Sequence, residues 1–438
     1  MAIGSMHLRK DFLMNSNTNH KINQVTENTL VIGIDIAKHK HYACAIDERG
    51  RVLQKSFPFS QSRDGFDVFY EKLLALRTTH GKNEILVGFE PTGHYWMNLA
   101  SYLSAHGIPF IMVNPLHVKK SQEMDDNLQT KNDQKDALVI ARLMRDGRFS
   151  YPRILEGVEA ELRNGATLRS KIQEDLNALQ NRIIRWLDRF FPEFTSVFKN
   201  FGKMAYAVLE KTPLPVDIQG KSPEELLFLY RQVEGLKSPQ LPKAKQLVEV
   251  ASKSIGLTEG LVMARIEIAT LLKQYHLMQG QLNELTEQLI ELAKQMTDYD
   301  YLASVPGIGD VTIVDLLSEV GSLTQYEHPR QLIKLAGLTL RESSSGKHIG
   351  QKRISKRGRR KLRSLLFRVM IPLIRHNEAF KQLHGYYTTR TLNPLRKKQS
   401  IVVLCGKLLK ILHALCKKKV QFDEQHMMQD LYCLVEAA

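Results

Sequence analysis

Cysteine is scarce in this chain, and the few cysteines are not arranged in any paired motif. The 438 residues contain four of them, Cys44, Cys405, Cys416 and Cys433, with no Cys-x-x-Cys pair and no close group with histidine. A disulfide scaffold and a structural zinc site are therefore not expected. The same pattern fits a reducing compartment, so we predict a cytoplasmic protein.

Long apolar runs and several familiar site motifs are also missing. No stretch of about eighteen uncharged apolar residues occurs, so we expect no membrane span. Residues 1–28 lack the apolar run of a secretion signal and are predicted to form a polar, flexible tail. The absence of GxxxxGK[S/T] argues against an ATP-driven machine, and the absence of HExxH argues against a histidine metal site. No clear helix-turn-helix is found that could read a DNA sequence.

Acidic residues are rare in one part of the chain, and this scarcity sets the charge distribution. The whole sequence carries a net charge of +16. Residues 301–420 contain 24 Lys and Arg against 6 Asp and Glu, a net +18, so the remainder carries −2. Because the excess lies in a single block, the sequence predicts a domain that binds a polyanion, with nucleic acid as the main candidate.

The N-terminal part alternates strand-like and helix-like patterns. Apolar runs predict strands at Thr29–Ile36, His41–Ile46, Val52–Phe57, Glu84–Phe89 and Pro109–Val113. Amphipathic spacing predicts helices at Asp64–Leu76, His94–His106 and about Lys135–Met144. The first three strands are predicted to form an antiparallel meander. The pattern as a whole predicts a mixed α/β sheet with helices on its faces.

The middle of the chain has a different, heptad-like spacing. Apolar residues alternate by three and four from Ile172 to Phe190, and again from Leu257 to Met296. As one helix, the second stretch would be about 60 Å long. Both an intramolecular helical hairpin and a coiled coil between subunits fit this seam. The proline-containing segment between them, about Thr195–Ile255, is predicted to be an irregular helical insertion.

Two acids occupy matching positions at the ends of predicted core strands. Asp35 interrupts the first strand, and Glu90 follows the strand Glu84–Phe89 directly. A single such Asp commonly caps a turn, which is the simpler interpretation. Ligand sites nevertheless collect at the carboxyl ends of sheet strands, so the pair is a candidate site.

Two further acids lie three residues apart in a predicted helix. Asp133 and Asp136 would share one face of that helix, although acids in a first helical turn are also explained by capping and the helix dipole. Four carboxylates brought close together need a counter-charge. Oxygen-only ligands suit Mg²⁺, or alternatively Mn²⁺, and a two-metal site can drive displacement at phosphorus.

A serine-rich loop precedes a strongly basic stretch in the C-terminal block. Residues 343–345 are three consecutive serines, and Lys347–Arg363 contains nine Lys and Arg with no acid. A basic run is often only a solvated surface, but its position in the +18 block favours phosphate contact. The residues predicted to bind nucleic acid are Lys347, Lys352, Arg353, Lys356, Arg357, Arg359, Arg360 and Arg363. Pro306–Gly309 resembles a helix-hairpin-helix turn, and a turn without any ligand explains it equally well.

Several ordered motifs together resemble one protein family. They are GIDIAK, FEPTGHYW, VNPLHVK, KNDQKDA, LRNGATLRSKIQEDLNALQNRI, PGIGDVT, AGLTLRESSSGK and ISKRGRRKLR. In this order they resemble the DEDD transposases of the insertion sequence 110 family, relatives of the Piv invertases. The resemblance spans about Thr29 to Arg363.

The resemblance implies a fold and a mechanism. It implies an RNase H-like, RuvC-like α/β N-terminal domain, long coiled-coil helices and a mostly α-helical C-terminal domain. Its metal-binding tetrad would be Asp35, Glu90, Asp133 and Asp136, and its catalytic serine would be Ser345, with Ser344 as the alternative. DNA would be cut through a phosphoserine link, with donor and target DNA paired to a guide non-coding RNA by a homo-oligomer, a dimer or a tetramer.

The domains expected from this combination follow the composition of the chain. They are a flexible tail at 1–28, a RuvC-like catalytic domain at 29–150, a helical and coiled-coil region with an insertion at 151–300, a basic serine-bearing transposase domain at 301–420 and a C-terminal tail at 421–438. Two other functions fit the same residues. One is a metal-dependent junction nuclease with water as the nucleophile, and the other is a non-catalytic nucleic-acid-binding protein whose acids are only helix and turn caps.

Overall fold

The chain forms two compact units, Met1–Ile154 and Leu155–Ala438. In this computed structural model the described residues are 18–125, 133–236, 238–341, 344–345, 348–349 and 353–427. Each unit has hydrophobic cores of its own, built from residues of that unit alone.

The first unit is a mixed α/β structure, as the sequence predicts. Its elements are α1 (Thr18–Ile22), β1 (Thr29–Asp35), β2 (Lys40–Ile46), β3 (Val52–Ser60), α2 (Arg63–Thr79), β4 (Glu84–Phe89), α3 (Trp96–Ala105), β5 (Phe110–Val113), α4 (Pro115–Asp125), α5 (Asp133–Arg145) and β6 (Phe149–Ser150). The five predicted strands and three predicted helices are confirmed with small shifts at their ends. Helices α1 and α4 and the short strand β6 were not predicted, and β6 has only two residues and leaves no periodicity. Helix α1 lies in the stretch 1–28 that was expected to be a flexible tail, and residues 1–17 of that stretch lie outside the described residues.

The six strands of this unit form one sheet in the order β3-β2-β1-β4-β5-β6. The predicted antiparallel meander is confirmed, since β1 pairs antiparallel with β2 and β2 pairs antiparallel with β3. Strands β1, β4 and β5 are parallel, and β6 runs antiparallel at the edge. The carboxyl ends of β1 and β4 therefore lie side by side at one edge of the sheet.

Alternation along β1 assigns its residues to two different cores. Leu30, Ile32 and Ile34 belong to the core under α2 and α3. Val31 belongs instead to the core formed with α5. Because successive side chains of a strand point to opposite faces, every second residue of β1 is directed toward α5.

Helix α5 packs directly on the backbone of β1 at Gly33. A Cβ atom at this position would lie 2.2 Å from the Ala137 carbonyl oxygen and 2.4 Å from the Ala141 backbone nitrogen. Both are backbone atoms of α5, so a side chain could fit only if the helix moved. Glycine at position 33 thus sets how closely α5 approaches the sheet.

Gly33→Ala is expected to destabilise the protein by about 1–3 kcal/mol, the usual cost of overpacking a tight core. Thermal or denaturant unfolding measures this loss. Gly280→Ala is the matched control, because an added Cβ at Gly280 in the long helix Leu261–Lys294 meets, in the described part of the chain, no atom within 4 Å beyond the adjacent backbone of its own helix. Replacing a helical Gly with Ala stabilises by up to about 1 kcal/mol. Equal stability of the two variants would contradict the close approach of α5.

The second unit is mostly helical. Its elements are α6 (Gly157–Phe190), α7 (Phe194–Val197), α8 (Lys203–Lys211), α9 (Pro215–Ile218), α10 (Pro223–Arg231), α11 (Leu241–Ser252), α12 (Leu261–Lys294), α13 (Tyr299–Ala303), α14 (Asp310–Val320), a 3₁₀ turn (Leu323–Gln325), α15 (Pro329–Leu335), β7 (Leu340–Arg341), β8 (Ser344–Ser345), β9 (His348–Ile349), β10 (Arg353–Ile354), α16 (Arg360–His376), α17 (Glu378–Thr389) and α18 (Lys397–Lys418).

The two heptad-like stretches form long helices that pack against each other within the chain. Helices α6 and α12 each have 34 residues, or about 51 Å at 1.5 Å per residue. The buried Trp186 indole donates a 3.0 Å hydrogen bond to the Ala264 carbonyl oxygen, which ties the two helices together. At the other end, a Cβ at Gly165 would lie 2.4 Å from Leu289, so the helices approach closely there. The intramolecular alternative is therefore present, and a coiled coil between subunits stays a prediction.

The proline-containing insertion is helical, in agreement with the sequence. Its short helices α7 to α11 share one hydrophobic core with the facing sides of α6 and α12. Tyr230 is fully buried there and shares a 2.6 Å hydrogen bond with the Thr212 hydroxyl. The prolines lie mainly at helix starts, where the missing N–H has no cost.

The predicted helix-hairpin-helix segment has a helix on each side of its turn. Helix α13 ends at Ala303, and α14 begins at Asp310 after Gly309 as its N-cap. Gly307 has a φ of +96°, a conformation that favours glycine. The sequence PGIG is therefore explained by the turn itself, and phosphate binding at this turn stays a prediction.

Among the described residues, one helix has the length and composition of a membrane span. It is α18, and half of its apolar window is buried inside the protein. Leu404, Leu408 and Leu412 of this helix belong to the hydrophobic core of the second unit. A core helix meets the same criteria of length and hydropathy, so α18 is weak evidence for a span.

Candidate active site

Asp35 and Glu90 lie at the same edge of the sheet. Asp35 is the last residue of β1, and Glu90 immediately follows β4. The parallel register of these strands pairs Ile34 with Phe89, so the next residue on each strand is one of the two acids. Both acids are half-buried. The sequence-based expectation that two strand ends bring two acids together agrees with this register.

Both acids also belong to the face of the sheet that α5 covers. Gly33 is two residues before Asp35 and contacts α5. Gly88 is two residues before Glu90, and a Cβ there would lie 2.4 Å from the Met144 sulfur of α5. Because strand residues two apart share a face, the backbone directs positions 35 and 90 toward the α5 side.

Asp136 joins these acids from the helix above them. It precedes Ala137, whose carbonyl oxygen is the closest neighbour of Gly33, and it is half-buried. Burial, followed by the negative charge of Asp136, raises the pKa of Glu90. Burial is the larger cause, and the contribution of Asp136 indicates that its carboxylate lies within electrostatic range of Glu90. Asp136 therefore belongs to the same edge of the sheet as Glu90 and the end of β1 at Asp35.

Asp133 is the first residue of α5, one turn before Asp136. Its side chain lies outside the described residues, so the fourth member of the predicted tetrad stays a prediction. Within the described ranges, no group of three or more His, Cys, Asp or Glu side chains is placed so that it could hold a metal ion.

The predicted serine nucleophile lies in a small hairpin of the second unit. We call residues 340–354 the serine hairpin. Its outer strands β7 and β10 pair antiparallel, with Arg341 opposite Arg353. Its inner strands β8 and β9 also pair, with Ser345 opposite His348. The side chains of Ser344 and Ser345 lie outside the described residues, so the choice between them is not tested by this geometry.

Backbone hydrogen bonds hold the base of the serine hairpin against the end of α15. The Ser355 N–H donates to the Thr339 carbonyl at 2.7 Å, and the Arg359 N–H donates to the Leu335 carbonyl at 2.7 Å. A Cβ at Gly358 would lie 2.4 Å from the same Leu335 oxygen. The glycine of the motif SKRGRRKLR is thus required for close backbone contact.

The basic residues of the serine hairpin and of the segment that follows it differ in exposure. Arg353, Lys356, Arg357 and Arg360 are exposed. Lys347 and Lys352 lie outside the described residues. Exposed cations beside a short hairpin can contact phosphates. Nucleic-acid binding by the exposed group stays a prediction.

Arg359 and Arg363 make contacts inside the protein. The Arg363 guanidinium donates to the Ala336 carbonyl at 3.0 Å. The Arg359 guanidinium donates to the Glu319 backbone carbonyl and lies 3.6 Å from the Glu319 carboxylate. These contacts give both arginines a structural role that sequence analysis did not anticipate. Their predicted role in nucleic-acid binding is not tested by these contacts.

Two arginines of α6 also have a role that the sequence left unexplained. Arg163 forms a 2.8 Å ion pair with the largely buried Glu319, and Arg169 forms a 2.6 Å ion pair with Asp315. Both acids lie on α14, so the motif LRNGATLRSK attaches the start of α6 to the helix after the PGIG turn. The sequence does not distinguish these two arginines from the other three arginines of α6, so this role could not be predicted from it.

Two family models match separate parts of the chain. Residues 32–192 match a model of the DEDD type for IS110 elements, described as a transposase. Residues 299–385 match a second model, described as the transposase IS116/IS110/IS902 family. The first match includes both acid-bearing strand ends, and the second includes the serine hairpin. The chain belongs to the IS110 family of transposases.

Individual relatives of this transposase align over most of its length. The transposase for insertion sequence element IS1111A of Coxiella burnetii is 25% identical over 391 residues, which cover 89% of this chain and 90% of that protein. The pilin gene-inverting protein of Moraxella lacunata is 24% identical over 402 residues, covering 90% and 98%. The mini-circle putative transposase for IS117 of Streptomyces coelicolor is 24% identical over 353 residues, covering 76% and 81%.

In this transposase, the burial of Glu90 and the nearby charge of Asp136 predict that Glu90→Gln raises the thermal stability at high pH. Because the pKa of Glu90 is raised in the folded state, ionising Glu90 weakens folding as the pH rises from its unfolded pKa through its folded pKa. Without divalent ions, Glu90→Gln is expected to raise the Tm at pH 8 by roughly 2 °C. At pH 4 the Tm difference should disappear. Thermal unfolding of both proteins across this pH range measures the effect.

Glu84→Gln is the matched control for that experiment. Glu84 is exposed at the opposite end of the same strand, β4. Its replacement should not reproduce the pH-dependent gain. A Glu90→Gln variant that loses stability at pH 8 would contradict the raised pKa of Glu90 in the folded protein.

Proposed function

We propose that this transposase cuts and exchanges DNA strands of a mobile element through a phosphoserine intermediate formed at Ser345. The observation that carries the proposal is the parallel register that places Asp35 and Glu90 at neighbouring strand ends, together with the close packing of α5, which bears Asp136, on Gly33. A buried carboxyl whose pKa is raised by burial and by a neighbouring carboxylate, as for Glu90, favours a bound cation or a proton. Ionisable groups whose pKa values are shifted by burial and by neighbouring charges are common in active sites.

The topology of the first unit supports an RNase H-like, RuvC-like domain. Five of its strands follow the order 3-2-1-4-5, and β2 alone among these five runs opposite to the others. This is the arrangement expected for an RNase H-type sheet. In this proposal, the catalytic acids sit at the carboxyl ends of the central parallel strands, where ligands of open α/β sheets bind.

The donor atoms at this edge have the chemistry that a hard divalent cation prefers, and because the described carboxylates do not by themselves form a group of three placed to hold a metal, the proposal needs Asp133 as a further ligand. Asp35, Glu90 and Asp136, with Asp133 as the proposed fourth ligand, offer only oxygen donors, and Mg²⁺ prefers such ligands, with Mn²⁺ as the alternative. A cation would favour the ionised form of Glu90, which burial and the charge of Asp136 disfavour. A bound divalent ion would supply charge neutralisation at the scissile phosphate.

In the proposed covalent step, Ser345 is the nucleophile. The Ser345 hydroxyl oxygen forms a bond to phosphorus while one backbone P–O bond breaks. The serine proton is lost, and the released DNA hydroxyl takes up a proton, so no outside reactant is consumed. Since the phosphodiester is exchanged for a serine ester, the bond energy is retained and strand exchange needs no ATP.

The exposed basic residues of the serine hairpin and the following helix start would hold the DNA backbone. The whole block at residues 301–420 carries a net charge of +18. Phosphate contacts of this kind position DNA without reading its sequence. Sequence choice is therefore assigned to a guide non-coding RNA that pairs with donor and target DNA, a proposal that rests on the family. In this proposal the transposase acts in the cytoplasm as a homo-oligomer, either a dimer or a tetramer.

The test is a recombination assay with the purified full-length protein. Labelled donor and target DNA, the transcribed non-coding RNA flanking the reading frame and Mg²⁺ are combined, and products are separated under denaturing conditions. A labelled DNA fragment that migrates with the protein until protease is added is the expected result. Mg²⁺-dependent cleavage without that adduct would replace the proposal with a junction nuclease that uses water. No cleavage under any metal condition would favour a binding role alone.

A further inference from the structure

A completely buried histidine lies between the loop that follows Asp35 and the loop that contains Glu90. His41 is near the start of β2 and has no solvent exposure. Its ring packs against the rings of Phe59 and Phe66, with centroid distances of 5.0 and 6.2 Å. A buried imidazole must satisfy both of its ring nitrogens within the protein.

The two ring nitrogens of His41 have different partners. The Ala37 backbone N–H donates to Nδ1 at 3.2 Å, so Nδ1 must carry the lone pair and the ring proton is on Nε2. Nε2 hydrogen-bonds the Gln61 side-chain oxygen. Burial lowers the pKa of His41, which favours the neutral ring that this arrangement needs.

Gln61 continues the chain of hydrogen bonds in one consistent direction. With its oxygen accepting from His41, its amide group donates to the Tyr95 carbonyl oxygen at 2.9 Å. The Gln61 backbone N–H also donates to the His39 carbonyl at 3.0 Å. Each donor in the series meets an acceptor, so the amide orientation and the imidazole tautomer are determined together.

We call the hydrogen bonds that join Ala37, His41, Gln61 and Tyr95 the relay. Its two ends are close in sequence to the two strand-end acids. Ala37 is two residues after Asp35, in the loop between β1 and β2. Tyr95 is five residues after Glu90, in the loop between β4 and α3. The hydrogen bonds therefore connect two loops that no sheet hydrogen bond joins, since strand pairing ends before them.

We propose that His41 and Gln61 are positioning residues that hold the Asp35 loop and the Glu90 loop at the separation needed to share a divalent ion. The inference rests on the proposed metal site and adds two residues to it. Neither residue is a metal ligand in this proposal. Outer residues that orient metal ligands typically change metal affinity by about 10–100-fold when they are replaced.

Mn²⁺ binding to the full-length protein, measured by calorimetry or electron paramagnetic resonance, tests this role without requiring activity. Gln61→Met keeps the length of the side chain and removes both hydrogen bonds. Its Mn²⁺ Kd is expected to rise about 10-fold or more. Gln61→Glu keeps an acceptor for His41 but has no donor for the Tyr95 carbonyl, so we expect a similar rise. Because Gln61 is only half-buried, we expect both variants to fold.

Two variants of His41 separate positioning from simple loss of packing. His41→Asn places an amide near the Nδ1 position and can keep the bond to Ala37, whereas His41→Gln extends toward the Nε2 position and can keep the bond to Gln61. Each should retain more Mn²⁺ affinity than His41→Leu, which keeps neither bond. Gln54→Met is the matched control, because Gln54 lies on β3 and its amide bonds only the neighbouring Lys55 carbonyl in an exposed position.

The possible results distinguish the two proposals. Tight Mn²⁺ binding by the wild type, weakened by the Gln61 variants and unchanged by Gln54→Met, supports the relay. Tight binding that is unaffected by the Gln61 and His41 variants overturns the relay and leaves the proposed metal site intact. Absence of Mn²⁺ binding by the folded wild type overturns the metal site, and the relay with it.

Discussion

Ser345→Ala is expected to abolish the covalent protein–DNA product and to lower strand exchange by at least about 10³-fold, because no other group replaces a nucleophile directly. DNA binding should be nearly unchanged. The substitution removes one hydroxyl from a +18 block whose phosphate contacts would come from other side chains. The measurement is the amount of protease-sensitive labelled adduct formed by wild-type and variant proteins at equal DNA occupancy.

Ser344→Ala is the control within the same strand. Ser344 and Ser345 together form β8, so both substitutions disturb the same strand of the serine hairpin. If Ser344→Ala abolishes the adduct while Ser345→Ala retains it, the nucleophile is Ser344. If cleavage persists at the wild-type rate in both variants and in the double variant, the phosphoserine mechanism is wrong and a water nucleophile replaces it.

Asp35→Asn is the second change with a large expected effect. The substitution preserves the shape of the side chain and removes one negative charge from the proposed metal site. Loss of a metal ligand commonly costs several kcal/mol of transition-state stabilisation, so cleavage and strand exchange should fall at least about 10³-fold. The fold should be retained, since Asp35 is a half-buried residue at the end of its strand and not in either core.

Asp67→Asn is the matched control for that substitution. Asp67 lies on α2, whose buried residues pack on the other face of the sheet, and accepts a hydrogen bond from the Tyr102 hydroxyl. Its replacement should leave Mg²⁺-dependent cleavage unchanged. Mg²⁺-dependent cleavage by Asp35→Asn at the wild-type rate would remove Asp35 from the active site and would support the simpler interpretation that it caps a turn.

Local patterns were sufficient to predict most elements of the first unit. The apolar runs around Ile32 and Val87 are short, continuous and bounded by polar turns, which is typical of buried strands. The position of each acid relative to its strand could also be predicted, because the strand end is visible in the sequence. The heptad spacing predicted long helices, and two helices of 34 residues each are present.

Other features depend on contacts between distant segments, which leave no periodic signal. Nothing in the sequence around Gly33 indicates that Ala137, more than a hundred residues away, lies close to it. In the basic stretch, composition treats all arginines alike, yet Arg359 and Arg363 bond to internal carbonyl groups while Arg357 is exposed. Only packing separates these roles.

By itself, the amino-acid sequence determined most of the strands and helices of the first unit, the segregation of positive charge and the motifs that identify the IS110 family. These properties are local or additive along the chain. Only the tertiary structure decided that β1 pairs with β4, that Asp136 lies close enough to disfavour the charge of Glu90, and that His41 bonds the loops beyond both strands. Each of these depends on the register between segments far apart in the chain, and register is set by how the whole sheet and its helices pack.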